Sequence, residues 1–263
     1  MKPFKNALCK NAARLALVGL GCIALCSAAE NDQAEVRVLC SNGIRVAVEK
    51  LTPAAEKAIG RKISIEFSAS SILKKSIEGG APFDLAILTP GSIDDLARNG
   101  KIVAGSNTTI ASADLGVGVK AGSPKVDIST PGAIQQRLLA ARTITWTDGG
   151  AAGTAIQTML QTLGIQDRMQ SKIVLQKLPG RAAESVASGE NELVLAPVSE
   201  VSTVPGVELL GKFPKRFQSP VVMTAGISAQ AKDTEGAKAL VKFLTSAKAV
   251  PAIQSTGMEP AHK

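Results

Sequence analysis

Apolar residues alternate with polar ones in several short stretches of this chain. In the stretches between them they recur at spacings of three and four. VRVLC (36–40) and KISIEF (62–67) carry the strand period, with Ile63, Ile65 and Phe67 on one face. Between them NGIRVAVEKLTPAAEKAIG (42–60) carries the helical period and closes on Gly60, a residue free to take the left-handed conformation that ends helices. FDLAIL (83–88) is a continuous apolar run suited to a strand buried on both faces. Helices are predicted over Ile72 to Glu78 and over SIDDLARNG (92–100). This βαβαβα order predicts a parallel or mixed sheet with helices on both faces.

The pattern then changes and begins again. DLGVGVKAGSP (114–124) is extended but broken by Gly116 and Gly118, which suits a segment crossing out of the first unit. A second series follows: a helix from Pro131 to Ala140, strand RTITWT, helix AIQTMLQTLG, strand KIVLQK, helix RAAESVASG and strand ELVLAP. SPVVMTAGIS (219–228) is a candidate return crossing, and EGAKALVKFLTSAKAVPAIQSTG (235–257) reads as one closing helix. The fold class is therefore α/β, with two lobes joined by two crossing strands. One lobe comprises 30–112 plus 220–263, the other 113–219.

The first 29 residues stand apart from this pattern. Lys2, Lys5, Lys10 and Arg14 precede an uncharged apolar run from Leu15 to Cys26, and Ser27-Ala28-Ala29 supplies small residues for cleavage. A cleavable signal peptide and a soluble exported, periplasmic protein are expected, because the run is shorter than the roughly 18 apolar residues of a membrane anchor. Removing it takes four of the 30 basic residues and none of the 22 acidic ones, so the net charge falls from +8 to +4. That modest charge without a basic cluster, and aromatic residues at 3%, argue against nucleic-acid binding. Cys40 is left as the single cysteine, so no intrachain disulfide is expected.

Four corners between a strand and a following helix carry small or hydroxyl-bearing residues: CSNG (40–43), SASS (68–71), TDGGAAGT (147–154) and LPGR (178–181). In open α/β sheets ligands settle at the carboxyl ends of the strands. Helix N-termini there expose unpaired N–H groups and a partial positive charge, which suits an anion. Ordinary helix capping explains any one corner as well. Arg45 and Arg181 stand next to two of these loops and can pair with a carboxylate or phosphate, or face solvent. Lys74 and Lys75 read as surface charges, Trp146 as packing, Asp84 as a cap for neighbouring backbone. The one histidine, His262, is second from the end, which removes a histidine-based triad or metal site. No P-loop or complete GxGxxG pattern occurs, and neither cofactor nor metal is expected.

FSASSILKKSIEGGAPFDLAIL (67–88) and AAGTAIQTMLQTLGI (151–165) resemble the periplasmic molybdate-binding protein group, solute-binding proteins of ABC importers with a two-lobed type II fold. The resemblance runs over nearly all of the chain after residue 29. It implies a small anionic ligand held between the lobes, an inner-membrane ABC permease as partner and a monomer. Carried over residue by residue, the ligand positions fall on Ser41, Asn42 and Gly43, on Ser70 and Ser71, on Ala152, Gly153 and Thr154, on Gly180 and Arg181, and on Pro197. Gly43 stands where the family has a serine and Pro197 where it has a tyrosine, so two side-chain donors for a tetrahedral oxyanion are absent. The ending VPGVELLG…AGIS…GMEPA resembles a divergent branch that includes periplasmic aconitate isomerase. Three readings follow: capture of an inorganic oxyanion or organic carboxylate for import, isomerisation of a polycarboxylate, or presentation of the liganded protein to a receptor. Isomerisation would need a base, for which Asp148, Glu200 and the Cys40 thiolate are the candidates.

Overall fold

The β-branched and leucine-rich runs that alternate in the sequence pair into two sheets. The computed structural model describes residues 35–150, 152–178 and 180–261. The expected signal segment and His262 lie outside them. The strands are β1 (Glu35–Ser41), β2 (Lys62–Ser68), β3 (Leu85–Leu88), β4 (Thr108–Ala113), β5 (Leu115–Lys120), β6 (Ile144–Thr147), β7 (Ile173–Gln176), β8 (Leu193–Pro197), β9 (Val207–Lys212), β10 (Val221–Ile227) and β11 (Glu259–Pro260). One sheet runs β11-β4-β10-β3-β1-β2 and the other β7-β6-β8-β5-β9.

Both sheets are mixed, as expected. In the first, β1 lies parallel to β2 and β3, while β10 is antiparallel to β3 and β4. In the second, β6 is parallel to β7 and β8, and β5 is antiparallel to β8 and β9. The chain changes sheet after a single residue, Asp114, and changes back between Lys212 and Val221. Gln218 ties the two crossings together: its side chain accepts from the Leu115 N–H at 2.9 Å and donates to the Leu115 and Phe213 carbonyls at 2.8 and 3.1 Å. Apolar side chains hold the crossings as well: Ala113, Leu115, Phe213 and Phe217 are buried in a hydrophobic cluster that includes residues of both sheets.

Asp84, fully buried, is the capping residue its position suggested. Its carboxylate accepts from the Arg37, Lys232 and Asp233 N–H groups at 2.8, 2.6 and 3.2 Å. It thereby joins β1 to the segment entering helix Thr234–Leu244.

Three expectations are corrected. The closing helix is two helices, Thr234–Leu244 and Val250–Gln254, with Pro251 in the first turn of the second, where its missing N–H leaves no helical hydrogen bond unmade. The helix after β2 begins at Ser70 instead of Ile72. Strands β4, β9 and β11 have no counterpart among the expected elements; TTIASA and VELLGK lack a clean alternation of burial.

Candidate functional site

Strand ends of both sheets face a cavity of about 430 Å³. From the first sheet come Ser41 and Asn42 after β1, Arg45 and Val46 at the start of helix Arg45–Ile59, Ala69, Ser70 and Ser71 after β2, and Thr89 and Ser92 after β3. From the second come Thr147, Gly149 and Gly150 after β6, Gly180 after β7, and Glu200, Thr203 and Val204 after β8. Every parallel strand of the first sheet contributes its carboxyl end, as the general rule for open α/β sheets requires.

Local structure explains why donors are available here. Helix Ser70–Glu78 has Ala69 as its N-cap, with no side-chain cap. Ile72 and Leu73 N–H groups reach the Ala69 carbonyl, whereas those of Ser70 and Ser71 find no acceptor among the described residues. These are the orphan donors of a helix N-terminus, next to a partial positive charge. Ser70 Oγ is not a cap; it accepts from the Thr89 N–H at 3.2 Å, fastening the β2 corner to the β3 corner. Thr89 and Ser92 hydroxyls pair at 3.1 Å. Ser41 does cap, accepting from the Gly43 N–H at 3.4 Å.

Among the described lining residues, Arg45 is the one cation and Glu200 the one acid. Arg45 Nε donates to Glu49 Oε1 at 2.7 Å, and its guanidinium stacks 5.1 Å over the Phe67 ring. Both contacts hold a half-exposed side chain at the mouth. Glu200, in the short helix Val198–Val201, is partly buried and has no ion pair or side-chain hydrogen bond among the described residues. Burial pushes its carboxyl up to about 7, from an ordinary value of 4.5. Such a group changes charge near neutrality.

Of the remaining expected ligand positions, Gly180 lines the cavity and the others lie elsewhere. Gly43 lines a separate small chamber, and a Cβ there would sit 2.5 Å from Met223 Cε. Ala152 is buried, Gly153 lies beside Trp146, and Thr154 is exposed; none of the three is among the lining residues, and the turn before them lines the cavity instead. Gly180 is present, with φ +80° that favours glycine. Arg181 is drawn away to Glu190, a surface ion pair, so its guanidinium is not among the cleft's donors. Pro197 is buried in the sheet opposite Leu115. Of the candidate bases, Cys40 is fully buried and its thiol is pushed well above the ordinary range by that burial and by Glu49. Asp148 is exposed outside the lining, leaving Glu200.

Thr89 and Ser92 escaped the sequence reading, although TPGS (89–92) carries a signal of its own: a proline in the first helical turn after a buried strand. Thr203 and Val204 had none, since they follow a helix of four residues.

The sequence profile of the bacterial extracellular solute-binding proteins matches residues 36–259. The chain belongs to that family. It is 25% identical over 256 residues to an aconitate isomerase of a Pseudomonas species, spanning 94% of this chain and 97% of the relative. It is 27% identical over 247 residues to the molybdate-binding protein ModA of Azotobacter vinelandii, spanning 92% and 95%. The solved periplasmic molybdate-binding protein of that organism superposes with a TM-score of 0.70 at 22% identity, covering 86% of this chain and all of the other. As a member of the extracellular family, the chain is a solute-binding protein with the two-sheet fold its sequence resembles.

Proposed function

We propose that this protein, exported with loss of residues 1–29, captures a small organic carboxylate between its two sheets and delivers it to an inner-membrane ABC permease. Lobe 1 then comprises 30–112 plus 220–263 and lobe 2 113–219, closing about the pinned crossings. One observation carries the reading: a shared cavity is lined by Ser70 and Ser71, whose N–H groups have no acceptor among the described residues, by a row of hydroxyl-bearing residues and by Arg45. Donors without internal acceptors, beside one cation, favour a negative guest.

The donor set favours a carboxylate over a four-oxygen ion: Gly43 and Pro197 supply no side-chain donor to close tightly around a tetrahedron. Titration calorimetry with trans-aconitate, citrate, sulfate, molybdate and tungstate tests the reading. A 1:1 isotherm with a carboxylate, at least tenfold tighter than with any inorganic oxyanion, is expected. Tighter binding of molybdate or tungstate would reverse the choice of ligand, and no heat with any of them would remove the reading.

A second reading rests on Glu200. A carboxyl in the cleft whose charge changes near neutrality is equipped to pass a proton between carbons of an unsaturated polycarboxylate, the activity named for the Pseudomonas relative. Conversion of trans-aconitate by purified protein, followed in the ultraviolet and abolished in Glu200→Gln, would establish it. Absence of turnover with binding intact would leave capture as the function.

A further inference from the structure

Behind the cleft lies a second, smaller chamber of about 40 Å³, lined by Gly43, Ile44, Ala47, Ser199, Thr256 and Met258. Asn42, Arg45, Val46, Glu200 and Thr203 line both spaces, so Glu200 stands in the partition between them. Ser199 is 6% exposed. Its Oγ is a buried side-chain polar atom without a hydrogen-bond partner among the described residues. The hydroxyl has essentially no accessible surface, so water in the chamber does not reach it, and Glu200 is the group through which the two spaces meet.

We propose that Glu200 enters the anion complex as a carboxylic acid, donating an O–H hydrogen bond to the bound solute. The proposal rests on the reading of the cleft as an anion site. Glu200 occupies the same cavity as the anion, where two negative charges would repel each other at short range with little solvent between them. A proton taken from solvent forms an O–H bond on the carboxylate, removes that repulsion and turns an acceptor into a donor. Recognition then depends on the solute offering an acceptor oxygen to Glu200 and a negative group to Arg45.

Among the described residues, one other charged group lines these spaces, and it is a cation. Helix Val198–Val201 packs on β5, β8, β9 and the turn Asn42–Ile44. Neither β8 nor that turn bears a charged residue. Lys120 on β5 and Glu208 and Lys212 on β9 line neither space, and Lys212 is paired with Asp114 at 2.8 Å. Arg45, already engaged by Glu49, is the other charged group lining the two spaces among the described residues. The carboxyl's raised value comes from burial alone. It is therefore ready to be shifted further by an incoming anion.

The test is calorimetric titration of trans-aconitate and of sulfate into wild type and Glu200→Gln, from about pH 5.5 to 8.5, in buffers of differing ionisation heat. The difference between the two proteins isolates Glu200 from the titration of the probe. Wild-type affinity should fall relative to the variant by up to about tenfold per pH unit above neutrality. Binding should take up as much as one proton that the variant does not take up. Parallel pH profiles would overturn the proposal while leaving anion capture standing. Failure of both probes to bind either folded protein at any pH would overturn both.

Discussion

The two halves of the cleft are built from different chemistry. The first sheet presents backbone donors, hydroxyls and a guanidinium, all from the carboxyl ends of parallel strands. The second presents Thr147 and Thr203, the glycine turns at 149–150 and 180, and the cleft's single carboxyl, from a four-residue helix. One half attracts a negative group regardless of pH; the other tolerates it only when protonated. Affinity and its pH dependence thus reside on opposite sheets, and substitutions should separate them.

The largest effect is expected at Arg45. Arg45→Ala removes the cleft's cation and should weaken carboxylate binding about 10- to 100-fold, the range of a charge-assisted hydrogen bond. Calorimetry on the folded variant measures it, and an unchanged Kd would move the anion away from the first sheet.

Next comes a stability effect on the other half. Glu200 has a folded value raised above its unfolded one, so the folded state holds its proton more tightly. Stability is full below the unfolded value near 4.5, falls as pH rises toward about 7, and stays reduced above it. Glu200→Gln should consequently raise stability at alkaline pH by about 1–3 kcal/mol, and change it little at acid pH. Thermal melts of both proteins across that range give the answer. Equal Tm differences at both ends would mean that the carboxyl does not titrate near neutrality.

Ser70→Ala should cost less. It strips the hydroxyl that accepts from the Thr89 N–H and should loosen binding several-fold, about 1 kcal/mol, with a comparable loss of stability. The smallest effect belongs to Arg181→Ala. Its partner is Glu190 at the surface, and both affinity and stability should change by less than about 0.5 kcal/mol. A tenfold loss of affinity there would place the anion against the β7 corner.

The same contrast governs what the amino-acid pattern disclosed. On the first sheet, long regular helices follow regular strands, so Ser41, Asn42, Ser70 and Ser71 could be placed at strand ends by counting periods, and the cavity contains all four. On the second sheet, the turn at 147–150 sits earlier than the expected Ala152, Gly153 and Thr154, because the loop bends back on the Thr147 carbonyl before the helix starts. Arg181 looked available because sequence adjacency to a loop says nothing about Glu190, nine residues on. Glu200 was legible as one of three candidate bases for the cleft, but its raised value was not, since its environment is assembled from Asn42 to Val46 and from the segment around Thr256. Periodicity reports local form; desolvation arises from distant chain.

The central claim is that an anion sits between the sheets against Arg45 and the Ser70 corner. Its most direct measurement is paired calorimetric titration of trans-aconitate into wild type and Arg45→Ala at one acid pH. A 1:1 isotherm in wild type that weakens at least tenfold in the variant is the predicted result. Identical isotherms, or no heat in wild type, would contradict it.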